Sequence, residues 1–220
     1  MAKILETPDL KKLIESNTDQ NAELNAALIA AAALWGVKSS ELSLIETGDI
    51  LTGKGELKRT WALKKGISAN GYARELYTEH VSLVMYMEAY LNWRVSHKIG
   101  VSNIGEYRNL DPESRLFLSD KGEAFKFARR SADNKADLQP TGMNNYFKKL
   151  INNSGITGLT YKDFRRSLAI QMFREGCGNK KVKKTIMEYL GIRSYDALMK
   201  ILNANPKTLN EMVKGIYNRI

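Results

Sequence analysis

The sequence has almost none of the residues from which disulfide bonds and metal sites are built. Among 220 residues there is one cysteine, Cys177, and there are two histidines, His80 and His97. A single thiol excludes a disulfide within the chain, and these three side chains do not supply the ligand set of a zinc site. We therefore expect no bound metal and no cofactor, and we interpret both histidines as ordinary helix residues.

Proline-rich tracts and long apolar runs are missing as well. Four prolines and a hydrophobic fraction of 43% are typical of an ordinary folded protein. The most apolar stretch, residues 26–37, is shorter than the roughly 18 to 20 residues that a membrane span needs. Glu6 and Asp9 interrupt the first residues, which lack the apolar region of a signal peptide. These absences predict a cytoplasmic protein without a membrane partner.

Positive charge is what the chain has in excess. It carries 34 lysines and arginines against 24 acidic residues, a formal net charge of +10. Such a balance favours a polyanionic partner, and double-stranded DNA is the leading candidate. The alternative on charge alone is a well-solvated basic surface, because net charge does not report how the charges are arranged.

The hydrophobic pattern predicts one mixed α+β domain over residues 1–220, mainly α-helical with a small antiparallel sheet. Apolar residues at spacings of three and four predict a helix that begins near Asp19 and stops at Gly36. Alternation over residues 59–64, between glycine-punctuated segments, predicts a strand. A strand-like pair is predicted around Lys121 and Gly122, and a polar loop over 133–141.

Helices dominate the rest of the pattern. A long helix is predicted over 78–98, with these residues on its buried side: Val81, Met85, Tyr86, Ala89 and Trp93. Further helices are predicted over 40–45, 143–153, 163–174, 180–190, just after Ser194, and over 208–220.

Two segments in the C-terminal third carry the most specific signal, GLTYKDFRRSLAIQMFREG at 158–176 and EYLGIRSYDALMKIL at 188–202. They resemble the catalytic domain of the tyrosine recombinase (phage integrase) family. In that family the first segment is a loop followed by His-x-x-Arg. The second segment contains Leu-Gly-His, with a tyrosine nine residues after the histidine. Here Lys162 stands at the first histidine and Arg165 keeps the arginine. Ile192 replaces the second histidine, and Ile201 falls at the tyrosine position.

Other segments resemble the family in the same order along the chain. WGVKSSEL at 35–42 is similar to the segment of the family's first arginine, with Lys38 in that place. Lys64 or Lys65 occupies the region of the family's sheet lysine, and LFLS at 116–119 matches a further landmark. The resemblance implies a recombinase catalytic-domain fold, with residues 1–19 as an N-terminal arm and no separate core-binding domain. It also implies a C-terminal helix at 203–220 of the kind that family members exchange between protomers.

The family's chemistry makes these substitutions important. A tyrosine oxygen attacks a DNA phosphate, two arginines hold the phosphate oxygens, and a lysine and histidines move protons. Lys38 offers charge without the bidentate fork of a guanidinium, and Lys162 is a poor substitute for an imidazole near neutral pH. Tyr217 is the best candidate for a displaced nucleophile. Its alternative role is to pack with Val213 and Ile216 on the last helix.

Two functions compete on this basis. In the first, the chain is a DNA-binding protein on the recombinase fold that has lost strand cleavage and serves DNA recombination or integration in an accessory, architectural or regulatory role. In the second, it is an active recombinase with a phosphotyrosine intermediate, whose site comprises Lys38, Lys64 or Lys65, Lys162, Arg165 and Tyr217. A third possibility is a protein-interaction module without DNA binding. Arg165 has a structural alternative too, as a helix residue paired with Glu41 or Asp163.

The charged residues predicted to contact DNA are Lys58, Arg59, Lys64, Lys65, Lys148, Lys149, Arg166 and Arg193. The expected partners are double-stranded DNA and, on the DNA, a second copy of the chain or a complete recombinase. The resemblance also implies a nucleoid-associated protein of a bacterium, archaeon or phage, carried on a mobile genetic element.

Overall fold

A computed structural model describes residues 3–129, 138–177 and 179–203. The helices are α1 (Thr7–Glu15), α2 (Ala22–Trp35), α3 (Ser39–Leu42), α4 (Thr47–Ile50), α5 (Val81–Ser96), α6 (Thr141–Ser154), α7 (Tyr161–Glu175), α8 (Lys180–Leu190) and α9 (Tyr195–Asn203). The strands are β1 (Thr60–Leu63), β2 (Arg74–Tyr77), β3 (Ala128–Arg129) and β4 (Leu138–Gln139). The predicted architecture, mainly helical with small antiparallel sheets, is confirmed. The predicted helix over 208–220 and Tyr217 lie outside the described residues.

Helix α2 lies in the middle of the main core. Nearly all of its side chains are buried, and its many alanines let neighbouring helices approach closely on every side. The helix ends where the sequence predicts, at Gly36, whose φ of +59° is a left-handed conformation. A side chain at position 36 would also collide with Leu190 and Leu168. Gly36 therefore permits both the helix stop and the close contact of α2 with α7 and α8.

Strands β1 and β2 form an antiparallel hairpin in which Trp61 pairs with Leu76. Trp61 and Leu76 point into the core, where Trp61 meets Trp35 edge-on at 5.0 Å between ring centroids. Exposed side chains alternate with these buried ones, which is the period of two that the sequence shows over 59–64. The connecting loop, residues 64–73, carries Lys64 and Lys65.

The predicted buried face of α5 is right at Trp93, which is buried, and wrong at Val81, Met85 and Ala89, which are exposed. Val81 is 80% exposed and Met85 52% exposed, whereas the core contains Leu83, Met87, Tyr90, Leu91, Trp93 and Arg94. Apolar residues occur all around this helix, so spacing alone did not select a face. Contacts from distant loops select it, because the Tyr90 hydroxyl donates to the Leu116 carbonyl at 3.1 Å.

Arg94 is the polar residue that this face brings inside. Its guanidinium is fully buried and donates to Thr47 Oγ1 at 2.9 Å, Ser114 Oγ at 3.0 Å and the Leu116 carbonyl at 3.0 Å. Burial lowers its pKa, but an arginine this basic stays protonated. Arg94 therefore joins α5 to α4 and to the loop around 114–116 as a structural cation.

The strand-like pair and the polar loop predicted in the middle of the chain are only partly right. Around Lys121 and Gly122 there is a single antiparallel bridge, Leu118 to Ala124, in place of two strands. Within the predicted loop over 133–141, residues 138–139 form β4, which pairs with β3, and α6 already begins at Thr141.

A second apolar cluster joins α7, α8 and α9. Its buried members are Ala169, Ile170, Ile186, Leu190, Ile192, Leu198 and Leu202. Just after α7, Cys177 is exposed with a φ of +55°. Across the described ranges, no helix combines the length and the apolar character that crossing a membrane requires.

The described part of the predicted N-terminal arm, residues 3–19, packs against the helices that follow it. Its extended start lies along α7, where Leu5 N donates to Ser167 Oγ at 2.7 Å and Gln171 Nε2 donates to the Leu5 carbonyl at 2.8 Å. Helix α1 follows, and Leu5 and Leu13 are buried in the main core.

Candidate functional site

The start of α7 sets the positions of two predicted site residues. Thr160 is the N-cap residue, and its backbone N–H and its hydroxyl both donate to Asp163 Oδ2 at 2.8 Å. Asp163 is buried, so the first turn is fixed in place. Lys162 and Arg165, three residues apart, consequently lie on the same side of the helix.

A cleft of about 810 Å³ opens beside this turn, between α3, α6 and α7. Four cationic residues line it, Lys38, Lys148, Lys162 and Arg165, together with apolar side chains such as Phe147 and Leu159. No aspartate or glutamate contributes to the cleft among the described residues. Four positive charges without an acidic counterpart make this cleft a candidate site for an anion.

Arg165 lies at the inner end of the cleft. Its Nη1 donates to the Gly36 carbonyl at 3.2 Å, and burial lowers its pKa while the charge of Glu41 opposes that shift. The structural alternative for Arg165, an ion pair with Glu41 or Asp163, is wrong within the described residues. Those carboxylates bind Arg74 and Arg166 instead. The guanidinium therefore keeps donors for a ligand that enters the cleft.

Lys38 stands at the start of α3, on the cleft rim. Partial burial and then the charge of Arg165 lower its pKa. An anion placed between the two cations would relieve their repulsion. Of the cations that the sequence assigns to one site, three line this cleft, Lys38, Lys162 and Arg165, and four do not, Lys64, Lys65, Arg166 and Arg193.

Beneath Lys38 lies a buried ion pair that sequence reasoning did not assign to the site. Arg74 donates to both oxygens of Glu41, through Nη2 at 2.7 Å and Nη1 at 2.9 Å. The backbone N–H groups of Lys38 and Ala69 donate to the same carboxylate, at 2.8 and 2.9 Å. Burial pushes the pKa of Glu41 up, yet the hydrogen bonds and charge of Arg74 bring it below its usual value. The sequence contains a signal for this ion pair. Arg74 is two residues before Leu76 in β2, so both side chains lie on the buried face of the strand.

Lys58 and Lys64 belong to a different part of the surface. Lys64 Nζ binds Asp49 Oδ1 at 2.7 Å and Glu46 Oε2 at 2.9 Å, and these contacts raise its pKa. Lys58 Nζ donates to the carbonyls of Gly48 and Asp49 at 2.8 and 3.1 Å. Both line a separate cleft of about 690 Å³.

The remaining predicted cations differ in their availability. Arg59, Lys65 and Arg193 are exposed. Arg166 is held away from the cleft, because it donates to the Lys3 carbonyl at 2.9 Å and pairs with Asp163 at 3.1 Å. Lys149 lies 3.6 Å from Asp19.

The positions of the family's second histidine and tyrosine belong to the apolar core. Ile192 is 9% exposed and packs within the cluster of α7, α8 and α9, and Ile201 packs against the same cluster. Tyr189, next to the Leu-Gly turn, is held in place because its hydroxyl donates to the Leu34 carbonyl at 2.9 Å. Burial raises its pKa to about 12. Within the described residues, no group of three or more His, Cys, Asp or Glu forms a set of metal ligands.

Comparison with solved structures finds the same fold in recombinases. XerA recombinase matches with a TM-score of 0.68 and 19% identity, over 98% of this chain and 63% of the XerA chain. XerH recombinase, in a post-cleavage complex with its palindromic difH substrate, matches with a TM-score of 0.61 and 16% identity, over 96% of this chain and 51% of XerH. The lambda integrase catalytic core matches with a TM-score of 0.51 and 14% identity, over 84% of this chain and 94% of that core.

These likenesses confirm a tyrosine recombinase or integrase-like fold, as the sequence resemblance implied. The chain spans less than two thirds of the XerA and XerH chains. No protein-family profile matches the sequence, and no curated protein matches it either.

Proposed function

We propose that this chain, built on a tyrosine recombinase or integrase-like fold, is a DNA-binding protein that has lost strand-cleavage chemistry. Its role would be accessory, architectural or regulatory in DNA recombination or integration. The observation that carries the proposal is the cleft in which Lys38, Lys148, Lys162 and Arg165 gather without a lining carboxylate. Lysine and arginine side chains arranged this way suit the phosphates of a DNA backbone.

Double-stranded DNA is the partner that this proposal names first. The XerH structure contains its difH substrate, and another similar structure is a lambda integrase dimer bound to a core site. A second copy of this chain, or a complete recombinase, would be the protein partner on the same DNA. The fold likeness and the net charge of +10 support these partners.

The loss of cleavage is proposed from three positions. Lys38 cannot make the bidentate contact of an arginine with a phosphate. Ile192 and Ile201 offer neither a proton nor a nucleophile, and both pack in the apolar cluster of α7, α8 and α9. A site with these residues would still hold a phosphate but would lack the groups that attack it and assist the leaving oxygen.

An active recombinase is the alternative, and one observation favours it. The lowered pKa of Lys38 makes its ammonium a better proton donor than an ordinary lysine. In that enzyme the Tyr217 oxygen would bond to the phosphorus as the bond to the sugar oxygen breaks. The phenolic proton would pass to water, and the proton of Lys38 or Lys65 would go to the departing sugar oxygen. Lys65 fits this role better than Lys64, which two carboxylates already bind.

Covalent capture on nicked suicide substrates, run beside native gel shifts at two salt concentrations, tests the proposal. We expect a salt-sensitive shift and no covalent adduct. Replacing Lys38 and Arg165 together by alanine should weaken the shift at least tenfold, because each charged hydrogen bond contributes about 1.5–3 kcal/mol.

The matched control is Lys11→Ala, which removes an exposed lysine on α1 that lies 3.7 Å from Glu15. It should leave the shift unchanged. An adduct that disappears in Tyr217→Phe would establish the recombinase alternative. The absence of any shift across DNA libraries would reject DNA binding and favour a protein-interaction module.

A further inference from the structure

The loop between β1 and β2 is fastened to the turn between α8 and α9. Asn70 Nδ2 donates to the Gly191 carbonyl at 3.1 Å, and Asn70 Oδ1 accepts from Ser68 Oγ at 2.6 Å and from Tyr72 N at 3.0 Å. Gly191 has a φ of +64°, and a side chain there would come within 2.6 Å of Asn70 Nδ2. Glycine thus lets the turn approach the loop closely. The two segments form a fixed unit that presents Tyr72 and Arg193.

Tyr72 and Arg193 form a pair on the outside of this unit. The Tyr72 side chain is 64% exposed, and the Arg193 guanidinium carbon lies 5.0 Å from its ring centroid. Both residues line a cleft of about 630 Å³, together with Tyr77 and Tyr189, which stack at 6.0 Å between ring centroids. An exposed ring paired with a guanidinium contributes little to the core, so the pair is free to meet a ligand.

This pair adjoins the cationic cleft through a continuous chain of hydrogen bonds. Lys38 N donates to Glu41, Arg74 donates to the same carboxylate, and Arg74 Nη1 also donates to Ser68 Oγ at 3.1 Å. Ser68 Oγ in turn donates to Asn70, and Asn70 donates to the Gly191 carbonyl in the turn that carries Arg193. The Arg193 charge contributes to the lowered pKa of Lys38, in keeping with their proximity.

We propose that Tyr72 and Arg193 form a stacking platform for an unpaired nucleobase of the bound DNA. The inference rests on the proposed DNA-binding function and adds a ligand class to it. Every base has a flat π-face, and tyrosine rings and guanidinium planes stack on such faces without reading sequence. A strand whose phosphate lies on Lys38 and Arg165 would bring a neighbouring base to Tyr72. The platform therefore favours DNA with unstacked or single-stranded positions.

The test compares two oligonucleotides of equal length and charge, one of thymidine and one of abasic sites. Because the backbones match, the ratio of the two affinities isolates the contribution of the bases. The unsubstituted protein should bind the thymidine oligomer roughly five- to tenfold more tightly. Tyr72→Leu should bring that ratio close to one, while Tyr72→Phe, which keeps the ring, should preserve it.

Two further variants separate the platform from the phosphate site and from a general surface effect. Replacing Lys38 and Arg165 by alanine should weaken binding to both oligomers by the same factor and leave the ratio unchanged. Tyr195 is another exposed tyrosine, and Lys183 lies 5.5 Å from its ring centroid. This tyrosine does not line the cleft that contains Tyr72 and Arg193, so Tyr195→Leu is the control. It should not alter the ratio.

The outcomes distinguish this proposal from the broader one. Equal affinity of the unsubstituted protein for both oligomers, or an unchanged ratio in Tyr72→Leu, would reject the platform while DNA binding stands. Failure to bind either oligomer or duplex DNA would reject the proposed function, and the platform with it.

Discussion

Glu41 is the residue on which the geometry beneath the cleft depends. It accepts two hydrogen bonds from Arg74 and two from backbone N–H groups, one of them the N–H of Lys38. With four donors around a buried carboxylate, the charged form is strongly preferred. The position of Lys38 in the cleft is therefore coupled to the ionisation of a residue that does not line the cleft.

The ionisation of Glu41 predicts a pH-dependent contribution to stability. The folded-state pKa lies below the ordinary glutamate value of 4.5, so the contribution is present above pH 4.5 and is lost as the pH falls through the folded-state pKa. Glu41→Gln should lower the free energy of unfolding by roughly 3–5 kcal/mol at neutral pH, because it leaves Arg74 buried without a counter-charge. Urea unfolding over a pH series measures it. A difference between the two proteins that stays constant down to low pH would contradict the coupling.

At the scale of single residues, the sequence predicts the cleft cations better than the sheet lysine. Lys38, Lys162 and Arg165 follow from motif spacing, and the structure brings them together. Motif spacing could not show that Lys64 is already paired with carboxylates, because its partners Glu46 and Asp49 come from a different segment around α4. Ion pairs between distant segments depend on the tertiary fold, which local patterns do not contain.

Among the elements, the end of α2 shows how one glycine serves two purposes. Gly36 adopts a left-handed φ, and it also lies against Leu190 and Leu168. Gly155 ends α6 with a similar φ of +65°, but nothing lies within 4 Å of where its Cβ would be. The two helix ends thus share a left-handed glycine and differ in how crowded it is.

Comparing Gly36 with Gly155 separates two costs of adding a side chain, the backbone strain and the overpacking. Gly155→Ala should cost about 1–2 kcal/mol, the penalty of a left-handed conformation for an L-residue. Gly36→Ala should cost roughly 2–5 kcal/mol, since overpacking adds to the same strain. Chemical unfolding of both variants gives the comparison. Equal losses of stability would show that Leu168 and Leu190 make room at no cost.

The elements themselves follow closely from periodicity and helix stops. The helix predicted over 180–190 has those bounds in the structure, and α2 ends at the predicted glycine. The orientation of α5 does not follow, because its apolar residues surround the helix and Tyr90 and Arg94 are turned inward by partners at 47 and 114–116. Propensity thus defines a helix, while long-range contacts define its buried face.

For the whole molecule, the distribution of charge matters more than its total. Arg94 is buried among oxygen atoms, and Arg74, Arg108 and Lys64 are bound by carboxylates. The cleft cations have no such partner among its lining residues. The net charge of +10 alone therefore does not reveal that four cations gather in one cleft without a carboxylate among its described lining residues.

This distribution predicts the salt dependence of DNA binding. A variant with alanine at positions 38, 148, 162 and 165 should reduce the slope of log K against log salt by roughly 3–4, because each phosphate that a cation neutralises adds about 0.9 to the slope. Lys64→Ala should leave the slope unchanged, since Glu46 and Asp49 already neutralise Lys64. Titrations at several salt concentrations measure both slopes. A slope that stays unchanged in the fourfold variant would mean that the cleft is not where phosphates bind.

The single thiol provides a labelling site for measuring how the protein is oriented on DNA. Cys177 is exposed immediately beyond α7, the helix that carries Arg165 near its other end. A maleimide dye would attach at this one defined point without any substitution, since the chain has no other cysteine. Energy transfer from that dye to acceptors placed at either end of a short duplex would then report the polarity of α7 along the DNA in solution.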